Sequence, residues 1–198
     1  MRRHLLLAAL LLTLTACGAS DEQPLSYPRL SYDYLTKLRL NVGSVDIDDS
    51  LQRGTDPRDL SRLAPTSPVD ALRQMAQDRL AALGANGRAV FVIDEASIFQ
   101  VRSQLEGRMT VHLDVSSADG TRGGYAEARV SRSRSYDRTG PNATRNALSD
   151  LVTQMMSDMN VEFEFQVRRS LRAYLQTTEP TVPAPPPIQT EDLGPPQT

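Results

Sequence analysis

One cysteine, one lysine and, beyond the first four residues, one histidine stand in a chain of 198 residues. A lone cysteine has no intrachain disulfide partner, and thiol-based metal and redox motifs need more than one. With His4 in the leader, His112 is the only imidazole left, so a zinc centre built from histidine and cysteine is excluded. Basic residues do not predominate: 22 Lys and Arg stand against 24 Asp and Glu, which argues against a nucleic-acid-binding domain. No internal repeat is present. The long apolar run, Leu5 to Ala16, is too short to span a bilayer comfortably.

That run follows Met1-Arg2-Arg3-His4, a short positive start, and residues 1–16 have the layout of a secretion signal. Leu14-Thr15-Ala16-Cys17, which closes it, resembles the lipobox of bacterial lipoproteins. The resemblance implies that Cys17 is diacylated and becomes the mature N-terminus, carrying two or three acyl chains. Two or more chains anchor stably where one holds only marginally. The alternative is an ordinary signal peptide with Cys17 incidental, for which Leu14 is a poor residue three positions before the cut. Gly18 stands where an aspartate often retains such lipoproteins in the inner membrane, so the expected location is the periplasmic leaflet of the outer membrane. Processing takes Arg2 and Arg3 from the 22 basic residues, leaving 20 against 24 acidic and a net charge of about −4.

Residues 17–36 read as the lipidated cysteine and a flexible tether, polar and interrupted by Pro24 and Pro28. Residues 37–176 are long enough for a single α+β domain with a real core. From 177 to 198, seven prolines between Pro180 and Pro196 predict an extended, disordered tail.

Within the domain, Leu38, Leu40, Val42, Val45 and Ile47 alternate with one slip of phase at Gly43-Ser44, which predicts one strand with a glycine bulge. A long connection, Asp48 to Thr66, holds a helical-turn signal at Asp56-Pro57. Ser67-Pro68-Val69-Asp70 starts a helix whose stripe of Leu72, Met75, Ala76, Leu80 and Leu83 ends at Gly84. Ala89 to Val101 reads as a strand whose first part is buried on both faces. Met109, Val111, Leu113 and Val115 alternate with polar residues, and Asp119-Gly120 is a hairpin signal. The return strand turns Ala126, Ala128 and Val130 inward, small enough to let a helix approach. After Gly140-Pro141-Asn142, apolar residues from Leu148 to Tyr174 step by three and four. The segment Val161 to Val167 also alternates like a strand, but the helical stripe continues on both sides of it.

The expected architecture is two-layer α+β in the order β-α-β-β-β-α, a four-stranded sheet with two helices on one face and a long C-terminal helix. This order resembles that of small bacterial envelope lipoproteins, among them the lipopolysaccharide-assembly lipoprotein that plugs an outer-membrane barrel and the auxiliary lipoproteins of lipid-trafficking ABC transporters. The resemblance is one of topology, and it carries over no functional residue beyond Cys17.

Chemistry is sparse. His112 turns to the polar side of its strand and reads as solvated. Asp46, Asp48 and Asp49 lack the glycine and distal glutamate of a calcium loop. Asp94 and Glu95, adjacent on a strand, point to opposite faces and cannot pair for hydrolysis. Gly120 to Gly124 leads into a strand and not a helix, so it is a turn and not a phosphate cradle. No cofactor, metal or catalytic group is expected. The exception is 129–138, where Arg129, Arg132, Arg134 and Arg138 stand against one acid, Asp137. Arg132 and Arg134 continue the inward face, so the strand is expected to run past the helix layer and present them at a margin. They are either a site for anionic lipid or glycan groups or a charged edge that blocks strand-to-strand aggregation. The function expected first is binding or scaffolding of an envelope protein partner by a membrane-anchored, non-enzymatic lipoprotein. Anion binding by the arginine strand comes second. An enzyme using His112 or Asp94 comes third.

Overall fold

The computed structural model describes residues 26–51, 56–119, 121 and 123–176. The signal segment, Cys17 and the proline-rich tail lie outside the described residues. Six strands and two α-helices follow in the order β1 (Leu38–Leu40), β2 (Ser44–Asp48), α1 (Pro68–Arg79), β3 (Leu80–Ala82), β4 (Arg88–Val101), β5 (Gln104–Ser116), β6 (Gly123–Ser135) and α2 (Ala143–Ser170). The main sheet has the strand order β2-β4-β5-β6, with β2 parallel to β4 and the other pairs antiparallel. The architecture is α+β, as the periodicities predict.

Alternation decides which face of the sheet is dry. Phe91, Ile93, Met109, Val111, Leu113, Val115, Ala126 and Ala128 are all buried and face the helices. Phe91 of β4 meets Phe163 of α2 edge-to-face with ring centroids 5.4 Å apart. The ambiguous stretch around Phe163 is helix: Met155, Met159, Phe163 and Val167 are buried on one stripe. Gly107 of β5 faces Met155, and a Cβ there would collide with its sulfur, so α2 sits close to the sheet.

Several sequence expectations change. The stretch 38–47 is two strands in two sheets, because the phase slip at Gly43-Ser44 is a change of partner. β1 pairs in parallel with β3, whereas β2 pairs with β4. Helix α1 stops at Arg79, and Leu80–Ala82 extends to form β3; Leu80 and Leu83 fitted the helical stripe, but β1 takes the segment as a strand. Gly84 accordingly serves a close approach and not a helix stop: a Cβ there would lie 2.6 Å from the backbone of Asn41 and Val42. On β4, Val90 and Val92 are half-buried, so the strand has one dry face.

The start of α1 follows the sequence signal, with Pro68 at its first position and Ser67 accepting from the Asp70 N–H at 3.2 Å. The connection 48–66 is tied down by Leu60, whose N–H donates to the Ile98 carbonyl at 2.8 Å, and by Ser61, whose hydroxyl accepts from the Ile98 N–H at 2.8 Å. Leu51 and Leu60 pack against the core, whereas Leu63 is exposed.

The described part of the expected tether, residues 26–36, lies along the body as a strap. Leu30 and Leu35 pack against the core and Tyr32 is buried in it. The Tyr27 hydroxyl donates to Asn146 at 2.8 Å, and the Tyr32 N–H donates to Asp78 at 2.7 Å. A run of hydrogen-bonding and apolar groups at this spacing has partners to meet, and a polar composition alone does not keep it off the surface.

Candidate functional site

The arginine strand does not present bare cations. Helix α2 runs along β6 in the opposite direction, so its first turns lie over the strand's last residues. Arg132 is bonded to Asp158 and Arg134 to Asp150, the latter at 3.0 Å. Arg132 holds the Asp158 carboxyl below its ordinary range, and Asp158 in turn raises Arg132. Arg129 pairs with Glu127, its neighbour on the same face, and Arg138 donates to the carbonyl of Arg102 in the β4–β5 turn. The strand therefore does not outrun the helix layer, because α2 begins early enough to answer Arg132 and Arg134 with acids.

The outer face of the sheet gathers a polar cluster. Asp94 is the extra residue of a β-bulge: Ile93 pairs with Val111 and Glu95 with Thr110. Ile93 and Ala96 are both buried, so Asp94 and Glu95 lie together on the wet side and not on opposite faces as the sequence predicts. His112 Nδ1 is 2.6 Å from Asp94, and its Nε2 is 3.4 Å from Asp114. The ring lies over Tyr125 with centroids 5.3 Å apart. Tyr125 donates to Glu127 at 2.7 Å, which pushes the phenol up to about 12 and holds the Glu127 carboxyl down. Both imidazole nitrogens and the phenol thus face carboxylates within one polar network on an open face.

The acids near β2 disperse to different partners: Asp46 to Arg88 at 2.7 Å, Asp49 to Arg73, and Asp48 to Ser50. Among the described residues no group of three or more His, Cys, Asp or Glu side chains is placed to hold a metal ion. In the β5–β6 turn Asp119 accepts from Ser117 and from Thr121, bonds that hold its carboxyl at about 2.

A further concavity lies elsewhere, at the far end of α2. Leu38 and Leu40 turn inward, so alternation turns Lys37 and Arg39 outward. The chain's return along β1 completes the wall: the Asn41 N–H donates to the Tyr174 carbonyl at 2.7 Å, and the Gln176 N–H donates to the Arg39 carbonyl at 2.9 Å. The last turn of α2 and the 3-10 turn Arg172–Tyr174 bring in Arg168 and Arg172. The cavity so formed, about 840 Å³, is lined by Lys37, Arg39, Arg168 and Arg172 together with Thr36, Leu38, Leu175 and Gln176. Among the described residues four cations and no carboxylate line it. Glu164, one turn below, accepts from Arg168 at 2.8 Å and from the buried Arg79 at 2.5 Å. Burial pushes the Glu164 carboxyl up, but those two guanidiniums outweigh it and hold the group low.

Sequence reasoning missed this cluster. Its two halves are some 130 residues apart, and the signal that joins them, Leu40 bridged to Leu175, is a tertiary pairing. No protein-family model matches the chain, and no curated protein matches it. No described helix is long and apolar enough to cross a membrane.

Proposed function

We propose that the protein is a lipid-anchored, periplasm-facing envelope lipoprotein that binds or scaffolds a partner in envelope assembly or lipid transport. The observation that carries the reading beyond the lipobox is the strap. From Tyr27 onward the chain is bonded to the body, which leaves about ten residues between Cys17 and the first fixed point. Their full reach is about 33 Å. An anchor so placed tethers the domain near the leaflet at the Asn146 end of α2. The cationic cavity lies at the other end, some 22 residues along the helix, or about 33 Å.

Anion capture by the arginine strand is the second reading, and it would have to displace Asp158 and Asp150 from Arg132 and Arg134. Palmitate labelling of the wild type and of Cys17→Ser tests the anchor: label in the first and none in the second is expected. Mild crosslinking of the native lipoprotein at native abundance tests the partner. Recovery of a defined envelope protein is expected, and free monomer alone contradicts the scaffold.

A further inference from the structure

We propose that the cavity at the C-terminal end of α2 is a binding site for a phosphorylated ligand carrying at least two negative charges. Lys37 and Arg39 enter it from β1, and Arg168 and Arg172 from the end of α2 and the turn beyond. The proposal does not depend on the anchor or on a protein partner, and it stands if either fails.

Charge decides the ligand class. The four lining cations face one another across a shared space, and like charges brought together stay favourable only where counter-charge meets them. Helix α2 ends here, and its macrodipole supplies roughly half a negative charge. Glu164 is committed to Arg79 and Arg168. Neither Lys37 nor Arg172 makes an ion pair among the described residues. The two charges on Lys37 and Arg172 exceed what a single carboxylate answers, whereas a phosphate monoester brings about −1.5 to −2 on three acceptor oxygens suited to guanidinium forks.

Shape is consistent with more than an inorganic ion. A volume of about 840 Å³ lies within the range of small-molecule sites, roughly 300–1,000 Å³. Leu38 and Leu175 give the wall an apolar part against which a carbon skeleton can lie, and Thr36 and Gln176 add hydrogen-bonding groups. The rim is fixed by the β1 pairing and by Arg79, whose Nε donates to the Thr36 carbonyl at 3.0 Å. The cations therefore project from a frame that is set before a ligand arrives.

The test is calorimetric titration of the full-length protein purified from its own host, in neutral dodecyl maltoside micelles. One arm uses inorganic pyrophosphate and the other dihexanoyl phosphatidic acid. Saturable binding is expected, weakened at least tenfold in the double variant Lys37→Ser/Arg172→Ser and unchanged in Arg132→Ser. Both substituted positions are exposed, and circular dichroism checks that the variant is folded. Binding of pyrophosphate alone assigns a soluble phosphorylated ligand, and binding of the lipid alone assigns a headgroup. No saturable binding in either arm, or binding that the double variant leaves intact, overturns the proposal.

Discussion

Arg79 is where three pieces of the chain meet. It is 1% exposed, and its guanidinium donates to the Thr36 carbonyl on the strap and, on α2, to Asn160 at 2.8 Å and to Glu164. A buried charge is tolerated only when its bonds are complete, and removing one partner costs more than removing the charge itself. Glu164→Gln should therefore destabilise by about 3 kcal/mol and Arg79→Met by less, measured by urea unfolding. Because Glu164 titrates below its ordinary value in the folded state, its contribution is fully present above about pH 4.3 and is lost as pH falls through the lower folded value. Glu164→Gln should flatten the acid limb of the stability profile, and an unchanged acid limb would contradict this role. Tyr32 is the opposite case. It is buried with no partner for its hydroxyl among the described residues, and burial raises that phenol. Its backbone N–H, not its side chain, holds Asp78. Tyr32→Phe should leave stability unchanged or raise it by up to about 1 kcal/mol, read from the urea midpoint.

Among the elements, β5 and α2 were legible because a single period runs through each. Met109 to Val115 alternate without interruption, and the stripe from Leu148 to Leu171 persists through the strand-like Val161 to Val167. The divided first strand was not legible, since Leu38, Leu40, Val45 and Ile47 alternate identically whether they serve one sheet or two. The end of α1 failed for the same kind of reason: Leu80 and Leu83 satisfy both a helical step and an extended pairing, and only β1 chooses between them. Gly84 is the local sign of that pairing. Gly84→Ala should cost about 1–3 kcal/mol through collision with the Asn41–Val42 backbone, and a thermal midpoint equal to wild type would refute the close approach. The β4–β5 hairpin carries the one described non-glycine residue with positive φ, Arg102 at 56°. Its carbonyl, not its side chain, accepts from Arg138, so Arg102→Asn should stabilise by about 1 kcal/mol in urea unfolding.

At the scale of the whole molecule, the candidate site was readable only in part. The arginine run of β6 is conspicuous in the sequence, yet Asp150 and Asp158 that answer it lie on a different element, and no local pattern shows their proximity. The cationic cavity is the reverse: Lys37 and Arg39 look like the wet side of a strand, and Arg168 and Arg172 like ordinary company for a helix end. Only the return of the chain at Leu175 and Gln176 makes them one surface. In the proposed reading the strap separates that surface from the lipid anchor by the length of α2, and this separation rests on acylation of Cys17. Intact-mass analysis of the protein purified from its own host tests it most directly. The account predicts a mature chain that begins at Cys17 and carries the mass of two or three acyl chains. A chain with an unmodified N-terminus, or one cut elsewhere with Cys17 as a free thiol, would contradict it.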